Sequence, residues 1–282
     1  MNARWFDDLS GKSAVITGGA GVIGSAMASC LAENGVKTAI LDLKSDLAEQ
    51  KAKEIAKATG GTCIGVGGNV LDKVSLADSK KAINDLCGPI DILINAAGGN
   101  SPKATTAVET IEDKDLDHLD QTFFGLEMDA FRKVFDLNFI GTFFATQVFA
   151  RGMVAKGKGS IVNISSMGAF MPLTKVAAYS AAKAAVSNFT RWLAVHFSHV
   201  GIRVNALAPG FFMTEQLRFL HIDPKTGELL PRARQVIAHT PMGRYGVPDD
   251  LIGALVWLLS DASGFVTGVV VPVDGGFSSY SI

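Results

Sequence analysis

Short apolar runs alternate along this chain with longer segments of helical periodicity. The runs at 13–17, 37–43, 62–67, 90–95, 160–165, 203–208 and 269–273 are almost continuously apolar, as strands covered on both faces must be. Between them lie stretches rich in Ala, Lys, Glu and Leu, at 45–59 and 75–86 for example, whose polar positions recur at helical spacing. Strand–helix alternation predicts βαβ crossovers and an α/β fold. We expect a doubly wound, seven-stranded parallel sheet flanked by helices, in a single domain over 1–282.

Two segments break the alternation. Residues 100–127 are long and polar and join the fourth strand to a helix expected over 128–153. Residues 211–248 follow the sixth strand and carry Pro224, Pro231, Pro241 and Pro248. Both leave the carboxyl ends of strands, where open α/β sheets bind ligands, so both are expected to be substrate-side loops.

Composition narrows the function classes. Apolar residues make up 48 % of the sequence and charged residues 19 %, with a formal net charge of −1, so no electrostatic case exists for nucleic acid or an anionic membrane as partner. No apolar run approaches the roughly 20 residues that span a bilayer. The first residues lack the basic-then-apolar layout of a signal peptide. Cys30, Cys63 and Cys87 are odd in number and have no metal-ligand spacing, which suggests reduced thiols in a cytoplasmic protein. His196 and His199 lack a third ligand at suitable spacing, so no metal is expected.

The first strand ends in Thr17-Gly18-Gly19-Ala20-Gly21-Val22-Ile23-Gly24 and a helical pattern follows. Glycines between a strand and a helix permit a tight turn and bring backbone N–H groups and the helix dipole to a pyrophosphate, a Rossmann-type arrangement. The second strand ends in Asp42. A carboxylate there accepts hydrogen bonds from the ribose hydroxyls of NAD and repels the additional phosphate of NADP, while Lys44 nearby leaves room for dual use.

Tyr179 and Lys183 stand i, i+4 in a helical segment expected over 177–198. A phenol of pKa about 10 is a poor acid–base group at neutral pH, and a neighbouring ammonium would lower it. Ser166 ends the fifth strand, Asn138 lies in the 128–153 helix, and Asn95-Ala96-Ala97-Gly98 ends the fourth strand with small residues that admit a cofactor.

Taken together these motifs resemble the short-chain dehydrogenase/reductase family over nearly the whole sequence. The resemblance implies that Tyr179 donates or accepts the proton. It also implies that Lys183 lowers its pKa and binds the nicotinamide ribose, that Ser166 polarises the substrate carbonyl, and that Asn138 anchors a proton-relaying row of waters. It implies cofactor contacts at Gly18, Gly21, Val22, Ile23, Asp42, Asn69, Val70, Asn95, Ala96, Ala97, Gly98, Pro209, Gly210, Phe212 and Thr214, beside Tyr179 and Lys183. Val22 replaces the family's middle glycine and Asn69 its usual Asp, so Gly21 is expected to supply the close approach and Asn69 an adenine acceptor. A homotetramer is implied as well.

Within that family, the stretch from Gly98 to Thr106, Phe123-Phe124, and the stretch from Pro209 to Gln216 are similar to the D-mannonate oxidoreductases, or fructuronate reductases. That similarity implies NAD(H)-dependent interconversion of D-mannonate and D-fructuronate. A sugar acid needs a cation and hydroxyl partners, and Asn100, Lys103, Ser166, Lys175, Gln216 and Arg218 are the candidates. Alternatives are a gluconate 5-dehydrogenase or another polyol dehydrogenase, and a 3-oxoacyl-carrier-protein reductase, against which Asp42 speaks. A non-catalytic nucleotide-binding protein would not need the intact quartet. An epimerase or dehydratase would need a larger C-terminal domain.

Overall fold

The computed structural model describes residues 6–281, apart from the side chains of Glu215, Gln216 and Phe219. Seven strands form one parallel sheet in the order β3-β2-β1-β4-β5-β6-β7. They are β1 (Ser13–Thr17), β2 (Lys37–Asp42), β3 (Cys63–Gly67), β4 (Ile92–Asn95), β5 (Gly159–Ile164), β6 (Ile202–Pro209) and β7 (Val270–Val273). Every residue of β1 and of β4 is buried, which is why their sequences read as unbroken apolar runs.

Alternation sorts the strand side chains onto two cores. Ala14 and Ile16 of β1 join one apolar cluster with α1 (Val22–Glu33), α2 (Ser45–Thr59) and α9 (Ile252–Leu259). Val15 joins the other, with α3 (Lys73–Cys87), α5 (Gly141–Lys156) and α6 (Ala177–His196). The order reverses between β1 and β4, so their carboxyl ends open a crevice.

The helix expected over 128–153 is continuous but not uniform. It runs as α4 (Met128–Phe135), a π turn over Asp136–Ile140, and α5. The cause lies in Asn138, whose Nδ2 donates to the Val134 carbonyl at 2.7 Å and to the Gly99 carbonyl at 2.7 Å. In an α-helix the backbone N–H of residue 138 would fill that Val134 acceptor. The side chain takes its place and the ladder widens locally. The 177–198 expectation ends two residues early, since His199 lies in a separate 3-10 turn (Ser198–Val200).

The two long connections are not plain loops. Residues 100–127 hold short 3-10 turns, and 211–248 hold α7 (Glu215–His221) and α8 (Pro231–His239), with Pro231 at the helix start where its missing N–H costs nothing. No described helix is long and apolar enough to cross a membrane.

Candidate active site

The glycine-rich turn opens a groove at the β1–β4 crevice. Gly18 has φ +64°, and a Cβ on it would stand 2.7 Å from Ala97 Cα. A Cβ on Gly24 would stand 2.5 Å from the Gly18 carbonyl. Only glycine lets the turn, the start of α1 and the loop after β4 approach this closely. Gly21 is the N-cap of α1, so the first N–H groups of that helix, which lack intrahelical acceptors, face the groove where an anion would sit. Thr17 Oγ1 accepts from the N–H groups of Ala96 and Ala97 at 3.1 and 3.2 Å and holds that second wall in place. These features fit a dinucleotide pyrophosphate.

Gly18, Gly21, Val22, Ile23, Asp42, Asn69, Val70, Ala96, Ala97, Gly98 and Thr214 all line the groove. Asp42 Oδ2 accepts weakly from the Ala20 N–H at 3.3 Å, tying the β2 end to the turn. Asn69 Oδ1 accepts from the Leu71 N–H at 2.9 Å, which fixes the side chain in its turn at the groove and leaves its second lone pair as an acceptor. Asn95 stands behind the groove, inside the sheet. Its Nδ2 donates to Thr146 Oγ1 at 3.0 Å and to Asn163 Oδ1 at 2.8 Å, and Asn163 continues to Thr190 Oγ1 at 2.9 Å. This buried polar spine clamps α5, β4, β5 and α6 together.

At its inner end the groove meets a second cavity, with Ile23 and Thr214 lining both. Tyr179, Ser166, Pro209, Gly210, Phe212 and Asn100 line this cavity. Ser166 Oγ accepts from the Gly168 N–H at 3.1 Å and lies close enough to the Tyr179 hydroxyl to lower its pKa. Lys183 is buried, donates to the Ile164 carbonyl at 2.8 Å, and places Nζ 5.6 Å from the Tyr179 ring centroid. Asn138, fully buried, bridges Val134 to both backbone groups of Gly99. A Cβ on Gly98 would stand 2.5 Å from Asn138 Oδ1 and 3.2 Å from Lys183 Nζ, so that glycine makes room for both side chains. The structure therefore brings Asn138, Ser166, Tyr179 and Lys183 to one place.

The electrostatics differ from the expectation that Lys183 lowers the Tyr179 pKa. Burial pushes the phenol up, and the Ser166 hydrogen bond opposes that shift. Burial also brings Lys183 down to about 8. Both charged forms are disfavoured in a site screened from water.

The candidates for substrate contact divide. Asn100 lines the cavity. Lys103 lies at the surface, 4.0 Å from Glu127, and is not among the lining residues. Lys175 Nζ donates to the Ala107 carbonyl at 2.7 Å, fastening 100–127 to the start of α6. Arg218 is exposed and does not line the cavity. The Gln216 side chain lies outside the described residues. Sequence reasoning passed over Arg232 and His221, both of which line the cavity beside Tyr179. The available signal was Arg232 directly after Pro231, a cation in the first turn of a helix where the dipole disfavours it.

Comparisons with known proteins agree with this geometry. A family model described as enoyl-(acyl carrier protein) reductase matches residues 18–278. The uncharacterized oxidoreductase UxuB of Bacillus subtilis is 50 % identical over 276 residues, 98 % of each protein. The gluconate 5-dehydrogenase of Gluconobacter oxydans is 34 % identical over 270 residues, 96 % of each protein. A solved structure from Haemophilus influenza, provisionally described as a D-mannonate oxidoreductase with bound NAD, superposes with a TM-score of 0.91 at 47 % identity, covering 98 % of this protein and 99 % of that one.

Proposed function

We propose that this protein, which belongs to the short-chain dehydrogenase/reductase family, is an NAD(H)-dependent oxidoreductase that interconverts a secondary alcohol and a ketone on a sugar acid, foremost D-mannonate and D-fructuronate. The observation that carries the reading is a junction. The Tyr179–Ser166 pair stands where a dinucleotide-shaped groove ending at Asp42 meets a cavity whose one charged lining side chain, among the described residues, is Arg232.

A nicotinamide cofactor, when bound, supplies the hydride donor or acceptor. The protein's own residues do the rest. Ser166 holds the substrate oxygen against the Tyr179 hydroxyl, which passes the proton to it on reduction and withdraws it on oxidation. Lys183 holds positive charge beneath the ring and stabilises the phenolate that forms on reduction. Asp42 favours NAD over NADP by repelling the extra phosphate. Apolar walls around the reacting oxygen exclude water and strengthen each of these interactions.

Gluconate 5-dehydrogenase activity is the second reading, favoured by the Gluconobacter oxydans relative. The three cysteines are unpaired, which supports a reducing, cytoplasmic setting. An exposed aromatic ladder on α6 supports assembly into a homotetramer.

A rate panel of NADH and NADPH against D-fructuronate, 5-keto-D-gluconate and an acetoacetyl thioester tests the reading. We expect the highest kcat/KM for NADH with D-fructuronate. A preference for NADPH would sink the role of Asp42, and turnover of the thioester alone would sink the sugar acid.

A further inference from the structure

Six buried side-chain polar atoms have no hydrogen-bond partner among the described residues, and three of them, Asn100 Oδ1, His221 Nε2 and Arg232 Nε, belong to residues lining the cavity at Tyr179. An unpartnered buried polar atom costs about 1–3 kcal/mol, so three on one cavity wall require a reason. The three come from separate parts of the sequence: the segment after β4, the end of α7 and the start of α8.

We infer that Asn100, His221 and Arg232 form a three-point recognition site for a polyhydroxy carboxylate, with Arg232 Nε–H donating to the carboxylate and the other two bonding hydroxyls. The inference deepens the sugar-acid reading and rests on it.

Each group is held by its remaining atoms in a fixed orientation. Asn100 Nδ2 donates to Thr105 Oγ1 at 3.2 Å, and that hydroxyl spends its own proton on the Ser101 carbonyl at 2.8 Å. The amide is thereby oriented with its oxygen unpartnered, as an acceptor. His221 Nδ1 is bonded to the Tyr245 hydroxyl. Burial first, and the Arg232 charge second, bring its pKa down to about 4, so the ring is neutral. A hydroxyl both donates and accepts, so it satisfies Nε2 in either tautomer.

Arg232 is held most firmly. Nη1 donates to Thr174 Oγ1 at 2.8 Å and to Glu109, and Nη2 donates to the Thr174 carbonyl at 3.0 Å. These bonds join 100–127, the loop before α6 and α8, and they leave the buried Nε as the guanidinium nitrogen without a partner. Glu109 is the more exposed partner, at 35 % against 13 % for Arg232. Water screens the carboxylate at the rim more than the guanidinium beside the cavity. The rest of the wall includes Leu173, Val176 and Leu217, so a ligand carboxylate has one cation to reach among the described residues.

D-fructuronate and D-fructose share a skeleton and differ in a carboxylate against a hydroxymethyl group, so they separate this role from general damage. Arg232→Met should lower kcat/KM for D-fructuronate about 100-fold and that for D-fructose about tenfold at most, since loss of the Thr174 and Glu109 bonds loosens the wall for both sugars, and should leave NADH affinity unchanged. Arg232→Lys keeps the charge but loses the fixed fork, and should raise KM for D-fructuronate about tenfold with kcat nearly retained. Arg232→Lys carries the test alone if Arg232→Met does not fold. Asn100→Asp, which places a second anion in the site, should also weaken D-fructuronate more than D-fructose. Equal losses on both sugars, or no loss on D-fructuronate, would overturn the site. Failure of the wild-type enzyme to turn over any keto sugar acid would overturn the sugar-acid reading instead.

Discussion

At the scale of single residues, the chemistry depends on two groups held where their charges are costly. Lys183 is brought down to about 8 from an ordinary 10.5 by burial. Below about pH 8 the folded protein carries that ammonium at a cost. Between about 8 and 10.5 the unfolded state binds more protons than the folded one, so stability attributable to Lys183 rises with pH through that window. Lys183→Met should remove this slope. The wild type should gain on the variant by up to about 3 kcal/mol across the window, read from urea midpoints at stepped pH, and turnover should be lost at every pH. Parallel curves for the two proteins would show that Lys183 is not the titrating group. The i, i+4 spacing of Tyr179 and Lys183 was legible in the sequence because helix geometry is local. The direction of the Tyr179 shift was not, because it follows from desolvation in a cavity that β5, the 100–127 segment and the 211–248 segment line together. Arg232 and His221 stayed hidden for the same reason. Their meaning comes from a cavity wall assembled from segments distant in sequence, and neither forms a local motif.

At the scale of elements, the seven strands followed from continuous apolar runs, with β1 exact and the others off by one or two residues at their ends, because a run of apolar residues marks where a strand lies more sharply than where its pairing stops. The π turn did not. Its sequence, Asp136 to Ile140, is unremarkable in helix propensity, and the turn exists because one side chain captures a carbonyl of its own helix while reaching across to Gly99. Asn138 thus couples the α4–α5 helix to the loop after β4, beside both the groove and the cavity. Asn138→Ala should leave the Gly99 groups and the Val134 carbonyl without their partner. It should cost about 2–4 kcal/mol in chemical denaturation and reduce turnover together with stability. Asn138→Asp, which retains an acceptor but loses the donating amide, should be intermediate in stability. An alanine variant as stable as the wild type would mean that the helix relaxes to regular α geometry without penalty.

At the scale of the whole molecule, the sheet accounts for the interior but not for one face of α6. Phe139 meets Phe189, Phe189 stacks on Trp192, and Trp192 stacks on His196 at 4.6 Å. This explains His196 as a packing residue rather than a ligand. The ladder nevertheless ends at the surface, with Trp192 at 56 % exposure and Val195 beside it at 76 %. A contiguous apolar strip of this kind on a long helix is costly to leave in water. Closed symmetry lets each copy cover the strip of another, which supplies one of the contacts that the proposed homotetramer needs. Lys183 is buried and Tyr179 half-buried in the catalytic cavity, so assembly along the exposed Trp192 face would brace that helix without touching the reacting atoms. The wild type should therefore scatter light as a multiple of the 29.7 kDa protomer. Replacing Trp192 and Val195 together by Glu should reduce the mass and also the thermal midpoint, because charge repulsion in the buried strip outweighs the lost apolar contact. If the wild type is monomeric at micromolar concentration, or if the double variant keeps the wild-type mass, the outer face of α6 is not the contact and the strip needs another explanation.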